Sequence, residues 1–145
     1  MNQRLSSEML HATTVVKDGR AVVIAGRSGS GKSDLALRLF DRGFGLVSDD
    51  QTFVSKTDDR LIARAPPSIR GKLEVRGIGI VEVEPVDDVP ICLIVELSDA
   101  VARMPEAGLT RMLLGIAVPM VEIVAMNASA PAKVEIALDR LGLKG

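Results

Sequence analysis

Apolar, β-branched residues run from Thr13 to Val16 and again from Ala21 to Ala25, with Asp18-Gly19 between them. That arrangement predicts a hairpin, because Asp-Gly supplies the positive φ values of a tight turn. From Ser33 to Arg42 the spacing changes to that of a helix. Leu35, Ala36 and Leu39 share one face, with Phe40 beside them, and Gly43 and Gly45 end it. Leu46-Val47 leads into Ser48-Asp49-Asp50, and Thr52 to Val54 resumes as a strand. Asp58-Asp59 reads as a turn, Leu61 to Ala65 as a strand, and Pro66-Pro67 as a break. Leu73 to Val83 alternates strand-forming residues with glycine and charge. Ile91 to Leu97 is apolar apart from Glu96, as expected of a central strand buried on both faces. Val101 to Leu114 is expected to be helical and Val118 to Val124 a short strand. Ala130 to Leu141 reads as a helix, with Pro131 in its first turn and Gly142 past its end.

Strands therefore outnumber helices, and strand followed by helix occurs regularly only around residues 21–42. The expected fold is α/β: a mixed, mostly β sheet with one helix after the second strand and another at the C-terminus. With 145 residues and no linker or repeat, the chain is expected to form a single domain over residues 1–145.

Composition adds exclusions. Formal net charge is −1, which gives no reason to expect a nucleic-acid partner. Trp and Tyr are absent and only Phe40, Phe44 and Phe53 are aromatic, so base-stacking platforms are nearly missing. Cys92 is alone, so it has no internal disulfide partner and no zinc-site spacing. A buried, inert thiol is expected. Met1 to Leu10 is polar and mixed in charge, unlike a signal peptide, and no apolar run reaches membrane-spanning length. The expectation is a soluble, cytoplasmic protein without a membrane partner.

Between the second strand and the first helix lies Gly26-Arg27-Ser28-Gly29-Ser30-Gly31-Lys32-Ser33, which matches G-x-x-x-x-G-K-[ST]. Glycines let the backbone curl so that its N–H groups converge on phosphate oxygens, and the helix that follows adds its positive end. Lys32 is placed to meet the β and γ phosphates of ATP, and the Ser33 hydroxyl to ligate Mg²⁺.

Asp49 and Asp50 follow an apolar strand shortly after that helix. Paired carboxylates at a strand end can hold Mg²⁺ or take a proton from an attacking hydroxyl, and they can equally form a solvated turn. His11, the only histidine, would by itself be an ordinary surface or structural residue. In Lys72 to Ile80 the alternating charges suit a solvent-facing strand, and Gly77 and Gly79 suggest a bulge or close backbone approach.

Taken in order, the loop Gly26 to Ser33 continuing into Asp34-Leu35-Ala36-Leu37, the block Leu46 to Asp50, and the block Leu73 to Ile80 resemble the C-terminal catalytic domain of HPr kinase/phosphorylase. Val121 to Asn127 is similar to a late strand of that family, and the likeness runs from His11 to the C-terminal helix. The short form resembles α-proteobacterial versions, and the family's N-terminal domain is expected to be absent because the chain opens about ten residues before His11. The resemblance implies a P-loop domain of the phosphoenolpyruvate carboxykinase-like type. It implies an ATP- and Mg²⁺-dependent protein-serine kinase acting on the phosphocarrier HPr, or on a nitrogen-system relative, and able in the family to remove the phosphate by phosphorolysis. It implies self-association as hexamers. By motif, Lys32 matches the loop lysine and Ser33 a metal ligand. The Asp49-Asp50 pair matches the catalytic base, with Asp50 also counted among the metal ligands beside Glu74. His11 stands at a catalytic histidine position, and Arg103 is the candidate for a catalytic arginine, with a surface arginine as the equal alternative. The family's basic loop has no counterpart in Leu114 to Pro119, which carries no Arg or Lys, so phosphorylase activity stays open. Two readings remain: the protein-serine kinase, and a nucleotide-binding regulator or sensor with little turnover.

Overall fold

The computed structural model describes residues 6–101, 104 and 108–145. Among them are eleven strands and two α-helices. In chain order these are β1 (Ser7–Leu10), β2 (Ala12–Lys17), β3 (Arg20–Ala25), α1 (Lys32–Phe40), β4 (Gly45–Ser48), β5 (Thr52–Thr57), β6 (Arg60–Arg64), β7 (Lys72–Val75), β8 (Gly79–Glu82), β9 (Val89–Leu97), β10 (Thr110–Leu113), β11 (Ile116–Ile123) and α2 (Ala130–Leu141).

Nine of the strands form one mixed sheet. β9 is its spine. One side pairs in parallel with β3, from Ala21↔Ile91 to Ala25↔Glu96. The other side is shared: β6 runs antiparallel at Val89 and Pro90, and β11 runs parallel along Ile94 to Leu97. β2 and β3 are the expected hairpin about Asp18-Gly19. β4 pairs with the far side of β2, so the chain leaving β3 crosses over through α1 and skips one strand.

Burial on both faces explains the uninterrupted apolar runs. Successive side chains of a strand point to opposite faces. In β3, Val22 and Ile24 join Leu93 and Val95 of β9 beneath α1 and α2, where Leu35, Leu39, Val134 and Leu138 complete the layer. Ala21 and Val23, with Ile94, face the other way, onto Val47, Val54, Leu61 and Val118. Cys92 is fully buried, as expected, and burial pushes its thiol above the usual range.

Three local expectations change. The helix expected over Val101 to Leu114 is not formed where the chain is described: Thr110 to Leu113 is strand β10, paired antiparallel to β11. Leu114 and Gly115 both have positive φ (48° and 83°), the geometry of a two-residue hairpin turn, which a helix cannot contain. The polar opening of the chain supplies an edge strand, β1, paired with β5. Leu73 to Val83 is two strands rather than one: β7 and β8 pair with each other alone, as a separate ribbon that turns at Arg76–Ile78. No helix among the described residues is long and apolar enough to cross a membrane.

Candidate functional site

The loop from Gly26 to Gly31 leaves the C-terminal end of β3 and enters α1. Gly29 and Gly31 have φ of 79° and 100°, a region that side-chain-bearing residues avoid. Gly31 caps the helix and its carbonyl accepts the first helical bond, from the Leu35 N–H at 2.9 Å. Lys32, only 7% exposed, turns its ammonium back to donate to the carbonyls of Gly26 and Arg27, both at 3.0 Å. The cation is thus held against the loop it must serve.

Across from the loop, Asp49 directly follows β4. The residue is 7% exposed, and its carboxylate accepts three hydrogen bonds from three different elements. Oδ1 takes the Ser33 hydroxyl at 2.6 Å and the Thr13 hydroxyl at 3.0 Å; Oδ2 takes the backbone N–H of Glu74 at 3.0 Å. One side chain therefore ties together the start of α1, strand β2 and the β7–β8 ribbon. Because Ser33 donates its proton to Asp49, its lone pairs are left to face a cation.

Asp50 is exposed and sits at the centre of a three-residue turn. The Gln51 N–H donates to the Asp49 carbonyl at 2.7 Å, and Asp50 has φ of 67°. A γ-turn of this hand is rare and strained. Hydroxyls brace it. Thr13 Oγ1 accepts the Asp50 N–H at 3.1 Å, Ser48 Oγ donates to the Gln51 carbonyl, and Thr52 Oγ1 donates to the Ala12 carbonyl at 2.9 Å.

Loop, carboxylates and ribbon enclose a cavity of about 1110 Å³ that includes Arg27 to Ser33, Asp49, Asp50 and Glu74 in its lining. The ribbon adds Val75 and Arg76, and β9 adds Glu96 and Leu97. Ser98, Asp99 and Val124 to Met126 add a further wall, and Arg38 of α1 anchors it by donating to the carbonyls of Ala125 and Asn127.

Most of the residues singled out from the sequence thus meet at one place. His11 does not line the cavity; it is exposed, one residue before Ala12, which pairs with Ala25 at the strand end that leads into the loop. Arg103 lies outside the described residues. Three cavity or site residues escaped the sequence reading. Thr13 looked like one more β-branched strand residue, and Arg76 like one more solvent-facing charge. Glu96 carried a signal, as the sole charge in the apolar strand β9.

The family described as HPr Serine kinase C-terminal domain matches residues 3–144. The chain belongs to that family. An HPr kinase/phosphorylase of Bordetella petrii is 36% identical over 140 residues, covering 87% of this chain and 46% of that protein. One from Clostridium beijerinckii is 46% identical over 74 residues, 51% of this chain and 24% of the relative. The chain thus spans between a quarter and a half of the length of these curated relatives. The solved structure of the HPr(Ser) kinase/phosphatase from Coxiella burnetii superposes with a TM-score of 0.77 at 29% identity, covering 91% of this chain and 94% of that one. The mixed α/β fold with its loop helix and C-terminal helix is therefore the fold of this family.

Proposed function

We propose that this chain is the catalytic domain, over residues 1–145, of an ATP-dependent protein-serine kinase whose substrate is an HPr-type phosphocarrier protein. The observation that carries the reading is the Ser33–Asp49 contact at 2.6 Å, which joins the phosphate loop to the acidic pair across one cavity. ATP would lie with its phosphates along the loop N–H groups and the N-terminal end of α1. Lys32 already has two of its donors engaged by loop carbonyls, so its third is free for a phosphate oxygen.

The donor set suits Mg²⁺. Among the described residues no three His, Cys, Asp or Glu side chains converge on one point. Mg²⁺ is ordinarily held by one or two protein oxygens, with water and phosphate supplying the rest. Ser33 and Asp49 would be those oxygens, with Glu74 beside them, and the ion would neutralise charge on the phosphates. Asp50, expected from the sequence among the metal ligands, is better suited to be the base. Its side chain is exposed at the cavity, whereas Asp49 accepts three donors and has a single Oδ2 lone pair left, enough for the ion.

In the forward direction the serine oxygen of the acceptor bonds to the γ-phosphorus as the bond to the β–γ bridging oxygen breaks. The serine proton passes to Asp50, and ADP leaves. Attack of inorganic phosphate on phosphoserine would run the same site in reverse, with Asp50 returning the proton. The turn at Leu114-Gly115 carries no cation, which favours the kinase direction over phosphorolysis. Hexameric assembly and a cytoplasmic setting follow from the family reading.

Incubation with ATP, Mg²⁺ and the HPr-type protein from the same source tests this. Phosphoserine on the acceptor is the expected result. Tight ATP binding with no phosphoserine at saturating nucleotide would overturn the kinase reading and leave a nucleotide sensor. Adding inorganic phosphate to phosphorylated acceptor, with release of pyrophosphate as the readout, tests the reverse direction.

A further inference from the structure

Thr13 is fully buried in β2, yet its hydroxyl hydrogen-bonds both members of the acidic pair. The polarity of these contacts is determined. The Asp50 backbone N–H can only donate, so Thr13 Oγ1 accepts there, and its single proton goes to Asp49 Oδ1. The hydroxyl therefore spans the peptide that links Asp49 to Asp50, gripping one carboxylate and the neighbouring main chain. This grip falls on the least favourable backbone of the site, the γ-turn at Asp50 with φ of 67°. Thr13 itself cannot drift, since β2 is paired on both sides, to Ile24 of β3 through Thr13 and to Ser48 of β4 through Thr14.

We infer that Thr13 is a positioning residue for phosphoryl transfer: its hydroxyl holds the strained Asp49-Asp50 turn so that the Asp50 carboxylate is aimed into the cavity, while Asp49 keeps its separate Ser33 and Glu74 donors. The inference rests on Asp50 being the base. Thr13 is buried and does not line the cavity, so its effect reaches the chemical step through the turn it holds.

Thr13→Val keeps size and shape and removes only the hydroxyl; Thr13→Ser keeps the hydroxyl and removes a methyl. With ATP, Mg²⁺ and the HPr-type acceptor, Thr13→Val should lower kcat on the order of ten- to a hundredfold, since small misplacements of a reacting group cost about that much. KM for ATP and equilibrium ATP binding should stay within about twofold, and Thr13→Ser should recover most of the rate. Amide hydrogen exchange gives an independent readout: the Asp50 N–H should be protected in the parent and in Thr13→Ser and unprotected in Thr13→Val. An undiminished kcat in Thr13→Val, or a Thr13→Ser as slow as Thr13→Val, would overturn the inference. If Thr13→Val does not fold, Thr13→Ser decides, because loss of both rate and Asp50 protection there excludes a hydroxyl role. Asp50→Asn separates the two claims. Full activity in Asp50→Asn sinks the base assignment, while an inactive Asp50→Asn beside a fully active Thr13→Val sinks only the role of Thr13.

Discussion

Ser33 and Asp49 meet at 2.6 Å, hydroxyl to carboxylate, although one lies in the first turn of α1 and the other directly follows β4. The contact makes the phosphate loop and the acidic turn one site. It works only because β4 returns past β2 to the same end of the sheet at which β3 releases the loop.

Lys32→Ala should abolish useful nucleotide binding. Removing the ammonium deletes the charge meant for the phosphates and frees the Gly26 and Arg27 carbonyls it now restrains. Titration calorimetry with ATP and Mg²⁺ should show affinity down by about 100-fold, as expected for loss of a charge-assisted contact of about 3 kcal/mol. Unchanged affinity would remove the loop from the site.

Asp49→Asn and Asp50→Asn should differ in kind. Asparagine at 49 sets an NH₂ donor among the Ser33, Thr13 and Glu74 donors, costing stability by about 1–3 kcal/mol and weakening Mg²⁺-dependent ATP binding. At the exposed Asp50 it should leave fold and ATP affinity nearly intact while kcat falls by about 10²- to 10⁴-fold. Urea melts, calorimetry and single-turnover phosphorylation separate the three quantities.

Leu39→Ala should destabilise the fold by about 2–5 kcal/mol, since Leu39 is wholly buried where α1 meets the sheet and a cavity would replace it. A fall in the urea midpoint without change in slope is the expected signature.

Glu135 of α2 bonds Lys17 of β2 and Arg42 just past α1. The hydrogen bond from Lys17, aided by the charges of Lys17 and Arg42, holds its carboxyl below the usual range. A lowered folded-state pKa means the contribution is present above the unfolded value of about 4.3 and is lost as pH falls through the lower folded value. The urea-midpoint advantage of the parent over Glu135→Gln should therefore persist from pH 7 to 5 and close toward pH 3. A gap that does not vary with pH would contradict the charge-based account.

The elements with a strong local signal were legible. The Asp18-Gly19 hairpin, both helices, the apolar spine β9 and the phosphate loop each depend on neighbours a few residues away. The region around Thr110 to Leu113 was misread because its apolar spacing is short and ambiguous. Its state is set by the turn at Leu114-Gly115 and by pairing with β11. The edge strand β1 was invisible, since an exposed edge needs no apolar pattern, only a partner, here β5.

The site divides in the same way. Sequence alone determined the chemistry at hand: a loop for phosphates, a lysine, a hydroxyl and two adjacent carboxylates, because residue type and short spacing suffice to name them. Only the tertiary structure decided which groups each carboxylate meets. Thr13, Ser33 and Glu74 approach Asp49 from 36, 16 and 25 residues away, and those contacts exist because β2, α1 and the ribbon converge at one end of the sheet. Hydrogen bonds of such separation follow from strand order and register, which no local pattern in the chain encodes.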